Sequence, residues 1–422
     1  MRPSTLSILI ASSIFECYAF VTMVRWLSSN DASSFLGVSR TTLYAYVSRD
    51  LVRSSASPGN AHARRYAAED LERLRGRREH RRDPGKTAEG ALHWGVPVLE
   101  SSITLIDTDR LYYRGHDACE LAQTRTVEEV AALLWTGSFD ADLFAATTLH
   151  VVAGGESAGA IPFVNRAQSM LPLVAAHDSL AFDLRARSVA QTGWRILNLL
   201  TSVAVESSEL EDSIEETLHK HWIPRTAHAV ELLRAALILC ADHELNVSSF
   251  TARCVASAKS NPYAVVVAGL AAIEGANHGG MSEKVETMLQ ELRRARDVRK
   301  ALADRMRRAE PIHGFGHRMY AHGDPRAALL LDMLGKRFGK SAEWAFVRSV
   351  VKAGEEVTGD KPNIDFGLVA LARTLKLPAN AALTLFALGR SIGWIGHAIE
   401  QYVSDEMIRP RAKYVGVAPK QP

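Results

Sequence analysis

The spacing of apolar and polar positions divides this 422-residue chain into regions of different kind. From about residue 120 onward, apolar residues return at helical intervals. Two stretches, 227–241 (AHAVELLRAALILCA) and 264–276 (AVVVAGLAAIEGA), are apolar almost all round. A helix that is apolar on every side is a buried one. The second stretch is rich in alanine and glycine, which lets neighbouring helices approach closely. No sustained period-two alternation appears, so a mainly α fold is expected. Residues 26–52 (WLSSNDASSFLGVSRTTLYAYVSRDLV) read as two short helices, with Gly37 at the turn between them and Ser39 capping the second, a helix-turn-helix pattern. The RSSASPGNAHARRYAAEDLERLR that follows reads as a turn-rich hairpin and then a helix. Ahead of these lies LSILIASSIFECYAFV (6–21), a run with only Arg2 before it, short for a membrane span and long for a signal core.

Polar islands interrupt the C-terminal helical half. In order they are DHELN (242–246), GANHGG (275–280), HGFGHRMYAHGDPRA (313–327), PNIDFG (362–367), GR (389–390) and MIRPRAKYVG (407–416). In order and spacing they resemble the citrate synthase family, whose members condense acetyl-CoA with oxaloacetate. GVPVLESSITLIDTDRLYYRGHDACELA (95–122) and VEEVAALLWTG (127–137) look like that family's opening segment, so the resemblance covers roughly residues 92–418. It implies a large helical domain (92–281 and 386–422) and a small helical domain (282–385) with the active site in the cleft between them. It further implies a homodimer, no cofactor beyond the CoA thioester substrate, and Si-type stereochemistry. One departure stands out: many members carry a form like NVDFYSG where this chain has the shorter NIDFG.

The chemistry asks for particular residue types. A thioester methyl group is a very weak acid, so a base must remove its proton while donors stabilise the enolate oxygen in a site closed to water. Asp365, in PNIDFG between apolar stretches, is the candidate base, because burial raises a carboxyl pKa toward useful basicity. His278 precedes Gly279, Gly280 and a helix start expected at Ser282. A helix N-terminus disfavours imidazolium, which leaves His278 neutral and able to donate to the enolate oxygen. His317, between the glycines of its loop and Arg318, is the candidate that polarises the ketone and protonates the alkoxide. Arg326, Arg390 and Arg409 suit substrate carboxylates, since a guanidinium fork matches a carboxylate with paired bonds. The resemblance places His243 with these arginines on oxaloacetate and implies that Arg409 arrives from the partner subunit. It also places CoA contacts on the loop 313–318, through Gly314, Gly316 and Arg318, and on Lys361.

Two other motifs are set aside. GKRFGKS (335–341) has its glycines one residue too close for a phosphate loop and follows the helical AALLLDML instead of a strand. His313 and His317, with Glu310 upstream, hint at zinc. Gly314 and Gly316 break the helix that would put both imidazoles on one face, so no metal is expected. A composition of 47% hydrophobic and 23% charged residues is ordinary for a soluble protein of two or three domains. Cys17, Cys119, Cys240 and Cys254 have no paired spacing, which suits reduced thiols in the cytoplasm. A CoA enzyme outside the cell would lack its substrate. The run at 6–21 is therefore read as an upstream start, with Met23 the initiator in place of Met1, in preference to an ordered or targeting extension; no membrane association is expected.

Residues 23–86 hold twelve arginines and one lysine against seven acidic residues, a net of +6 in a chain whose whole charge is +3. With the helix-turn-helix pattern this region resembles the MerR-type winged helix, and duplex DNA becomes a candidate partner. Arg40, Thr42 and Tyr44 on the second helix are the groove-facing candidates. The alternative is a packing module, with RLRGRREHRRDPGK (73–86) a solvated helix end and linker. The expected boundaries are an extension at 1–22, a winged helix-turn-helix domain at 23–79 and a basic linker at 80–91. Two functions follow: an acyltransferase making citrate, or 2-methylcitrate from propionyl-CoA; or a DNA-binding regulator whose synthase-like body senses a ligand. A pure sensor has no need of Asp365, which favours the enzyme.

Overall fold

The computed structural model describes residues 26–48, 51–57, 60–68, 70–71, 99–144, 161–412 and 414–417. The chain divides into two compact units, Met1–Glu100 and Ser101–Pro422. The expected extension at 1–22, the arginine-rich stretch at 73–86 and the linker at 80–91 lie outside the described residues.

In the first unit, β1 (Trp26–Ser28) leads into α1 (Ser29–Leu36), α2 (Arg40–Ser48), β2 (Ser54–Ser57) and β3 (Asn60–Ala67). The strands form an antiparallel sheet in the order β1-β3-β2. Ser28 Oγ accepts from Asp31 N and starts α1, and the helix stops at Gly37, whose φ of 59° is the left-handed conformation glycine adopts without a Cβ clash. Ser39 Oγ then accepts from Thr42 N at 3.2 Å, the capping expected from sequence. Ala32, Leu36, Leu43, Val52, Tyr66 and Leu71 form this unit's core. Arg40 and Tyr44 are exposed and Thr42 is half-buried.

The second unit opens with a small antiparallel sheet, β4 (Thr104–Asp107), β5 (Arg110–Tyr113) and β6 (His116–Asp117), in that order. Thr108 and Asp109 join β4 to β5 with φ of 48° and 64°, the primed turn that matches strand twist. Sequence periodicity did not register these strands, because each is four residues or fewer and alternation needs a longer run to stand out. Helices follow: α3 (Ala118–Thr124), α4 (Val127–Thr136), α5 (Phe163–Ala175), α6 (Ala186–Val205), α7 (Ile214–Trp222), α8 (Ala229–Cys240), α9 (Val247–Ser257) and α10 (Pro262–Ile273). The remainder are α11 (Met281–Arg293), α12 (Val298–Arg307), α13 (Pro325–Phe338), α14 (Ala342–Thr358), α15 (Ile364–Leu375) and α16 (Ala381–Ser404). Mainly helical architecture is thus as expected.

The apolar stretches 227–241 and 264–276 form α8 and α10. α10 begins earlier than its apolar pattern, at Pro262, because Asn261 caps it. α16 packs against α6, α8, α9 and α10 and carries Trp394, the largest fully buried side chain among the described residues. A Cβ on Gly269 of α10 would lie 2.4 Å from the Trp394 ring, so the close approach read from the glycine and alanine content occurs there. By length and hydropathy α16 could cross a membrane, but 94% of that apolar window is buried in this unit. Residues 335–338 of the set-aside GKRFGKS lie inside α13, so the amides of the first half of that motif belong to a helix and not to an open loop.

Candidate active site

Two islands distant in sequence, 313–327 and 362–367, are joined by the backbone of residues 313–318. Gly316 N donates to Lys361 O at 2.9 Å, Asn363 N to Gly314 O at 2.9 Å and Asn363 Nδ2 to Gly316 O at 3.1 Å. Gly314 and Gly316 have φ of 84° and 77°, which excludes a helix through His313 and His317. Among the described residues no group of three or more histidine, cysteine, aspartate or glutamate side chains is arranged to hold a metal ion. Arg318 and Lys361 are exposed beside this loop.

Asn363 caps α15, which puts Asp365 in that helix's first turn, where the helix dipole favours an anion. Burial outweighs this and pushes the Asp365 carboxyl up to about 6, against the pull of Arg326, Ser282 and Arg390. Its Oδ1 accepts from Ser282 Oγ at 3.2 Å. Ser282 sits in the first turn of α11, which begins at Met281, one residue before the start expected. The shortened NIDFG therefore leaves Asp365 helical, and Gly367 two residues further faces Ala327 of α13, where a Cβ would lie at 3.4 Å.

His278 lies in the turn just before α11. Burial, and then the charge of Arg390, push its imidazole down to about 4, so it is neutral at ordinary pH. Ser248 Oγ is 2.8 Å from His278 Nε2 and 2.8 Å from Asn246 Oδ1. Asn246 Oδ1 can only accept, so the Ser248 proton lies toward it in this structure; turned to His278 Nε2 instead, that one proton leaves the ring proton on Nδ1. The His278 ring meets Phe386 edge-on at 5.7 Å, and the Arg390 guanidinium lies 4.8 Å from the Phe386 ring centroid.

His317 is also pushed down to about 4, by burial and by Arg326. Met319 N donates to its Nδ1 at 3.1 Å, so the neutral ring carries its proton on Nε2. His243 meets His317 edge-on at 5.1 Å, and its Nε2 is 3.0 Å from the Tyr320 hydroxyl. Burial, with Arg326, Arg390 and His317, holds the His243 pKa well below the usual histidine range.

Arg326 is 2% exposed and grips Asp324 through Nε at 2.9 Å and Nη2 at 2.8 Å. Asp324 caps α13 and also accepts from Ile364 N at 2.9 Å, so one carboxylate orients the arginine and the start of α15 together. Arg390 is 1% exposed and donates Nε to Cys240 O at 2.8 Å. Two buried guanidinium groups facing neutral imidazoles make a cationic floor suited to an anionic ligand. Arg409 is exposed beyond α16, and among the described residues no hydrogen bond, ion pair or ring contact ties it to this cluster.

Sequence reasoning missed Ser248, Tyr320 and Asp324. Tyr320 and Asp324 lie inside HGFGHRMYAHGDPRA, and that membership was the available signal. Ser248, a serine in the first turn of α9, carried none beyond its nearness to DHELN.

A family model for the citrate synthase C-terminal domain matches residues 91–155 and 162–411. Citrate synthase 2 of Bacillus subtilis is 29% identical over 354 residues, covering 76% of this chain and 94% of the relative. The 2-methylcitrate synthase of Shewanella oneidensis is 29% identical over 353 residues, covering 74% of this chain and 90% of the relative. The crystal structure of citrate synthase from Thermotoga maritima superposes with a TM-score of 0.63 at 29% identity, covering 78% of this chain and 96% of that one.

Proposed function

Because the chain belongs to the citrate synthase family, we propose that it condenses acetyl-CoA with oxaloacetate, releasing citrate and CoA. It is an acyl-transferring enzyme, and the family works without a cofactor, CoA entering as part of the thioester substrate. Asp365 removes a proton from the thioester methyl while His278, donating from Nδ1, stabilises the enolate oxygen. The enolate carbon attacks the oxaloacetate ketone. His317 polarises that ketone from Nε2 and passes its proton to the alkoxide; water then cleaves the thioester. His243, Arg326 and Arg390 hold oxaloacetate, and Arg409 of the partner subunit completes the grip in a homodimer. Gly314, Gly316, Arg318 and Lys361 bound the CoA path. The segment 282–385 acts as a small domain that closes on the rest of the enzyme and excludes water.

The observation that carries this reading is the opposed tuning of groups gathered around two buried arginines: a carboxyl raised to about 6 and two imidazoles lowered to about 4, each within the field of Arg326 or Arg390. A base that ionises near neutrality and donors that stay uncharged are what enolisation at ordinary pH requires. Purified enzyme is expected to release free thiol from acetyl-CoA only when oxaloacetate is present, with excess chelator making no difference. Absence of turnover with acetyl-CoA and propionyl-CoA alike would sink the assignment. Faster turnover of propionyl-CoA would make the product 2-methylcitrate, a choice resting on one methylene worth about 1–3 kcal/mol.

A second reading concerns the N-terminal unit, for which the Ser39-capped helix and exposed Arg40 and Tyr44 support a MerR-like contact with duplex DNA. Binding to genomic fragments should then fall log-linearly with salt, because phosphate contacts release counterions. A chain beginning near residue 87 should lose that binding and keep synthase activity. If full-length protein ignores DNA at low salt, and the truncated chain loses turnover or its dimer, the unit serves assembly instead.

A further inference from the structure

α16 meets the segment 240–243 at successive turns along one face. Arg390 Nε donates to Cys240 O at 2.8 Å, and Gly393 N donates to Ala241 O at 2.9 Å. At the next turn His397 Nε2 lies 3.2 Å from Asp242 Oδ1, with both side chains fully buried. Residues 390, 393 and 397 are spaced by three and four, so they share one helix face. A Cβ on Gly393 would lie 2.4 Å from both Ala241 O and Asp242 Oδ1, so only glycine allows this seam to close. The remaining Asp242 groups are tied down as well. Thr104 Oγ1 of β4 donates to Oδ2 at 2.6 Å, Ser249 Oγ of α9 lies 3.4 Å from Oδ1, and the Tyr113 hydroxyl is 3.2 Å from the Asp242 amide nitrogen and 3.2 Å from its carbonyl oxygen. The residue after this anchor is His243, whose ring meets His317 and Tyr320.

We propose that Asp242 and His397 are positioning residues that lock His243 in register with Arg390, so that two substrate-binding groups carried on different segments reach one oxaloacetate together. The proposal rests on the reading of His243 and Arg390 as oxaloacetate ligands. Neither Asp242 nor His397 reaches the substrate; they act by fixing the backbone from which His243 projects. A buried aspartate is costly unless all its lone pairs are satisfied, and a merely structural anchor would not need to fall on the residue adjoining a ligand and on the face that carries another.

The test compares His397→Gln, Thr104→Val and His243→Ala in the full-length enzyme. His397→Gln should raise the KM for oxaloacetate about 10- to 100-fold, the scale on which a small displacement of a binding group is felt, with the KM for acyl-CoA within about twofold of wild type. Thr104→Val should shift the same constant in the same direction by less, and stands in should the glutamine variant not fold. Equal rises in both KM values, or an unchanged oxaloacetate KM in a folded variant, overturn the positioning role. An unchanged oxaloacetate KM in His243→Ala would instead overturn the ligand assignment beneath it.

Discussion

Asp365→Asn is expected to lower kcat by about 10²–10⁴, the usual scale for removal of a general base, while leaving the helical fold intact. Asparagine keeps the shape and can still accept from Ser282, so what is lost is proton affinity and not packing. The wild-type pH profile should carry the same signature. The base works ionised, so kcat/KM should fall as pH drops through about 6, whereas His278 and His317 stay neutral until about 4. Stability should move the other way. The folded pKa of Asp365 lies above its unfolded value, so its contribution is fully present at acid pH and is lost as pH rises through about 6. The asparagine variant should therefore melt higher than wild type at pH 8, and show little difference near pH 4. A near-normal kcat would send the search to another base. A lower melting point at pH 8 would mean that Asp365 is not held against its ionisation.

How much of this site was legible before the fold was known follows from what each residue must do in sequence. Asp365, His278 and His317 stood out because short glycine-flanked polar islands in alanine- and leucine-rich helices have little structural purpose of their own. Their supports did not stand out. Asp324 caps α13 while it holds Arg326, and any aspartate before a helix reads as a cap first. Ser248 and His397 sit on helices whose neighbours explain them locally, and their partners, His278 and Asp242, lie 30 and 155 residues away. Spacing reports which residues share a face. It cannot report which other element that face meets. The sheet β4-β5-β6 escaped for a different reason: its strands are too short to show a period, although Thr104 and Tyr113 on them secure Asp242.

Two inactive variants, Asp365→Asn and Arg409→Leu, are expected to restore activity when their subunits exchange. Arg409 lies exposed beyond α16, and Met407, Tyr414, Val415 and Val417 near it in sequence are also exposed, an apolar tail segment that no described residue covers. If that segment delivers Arg409 to the neighbouring subunit's site, a mixed dimer has one site carrying both lesions and one carrying neither. Random exchange makes about half of the dimers mixed, each with one working site of two, so activity should rise toward about a quarter of wild type. The measurement is thiol release after exchange, with mixed dimers verified by mass. Should verified mixed dimers stay inactive, Arg409 serves its own chain's site or none, and Arg326 and Arg390 with His243 would have to hold both carboxylates of oxaloacetate without help from the partner.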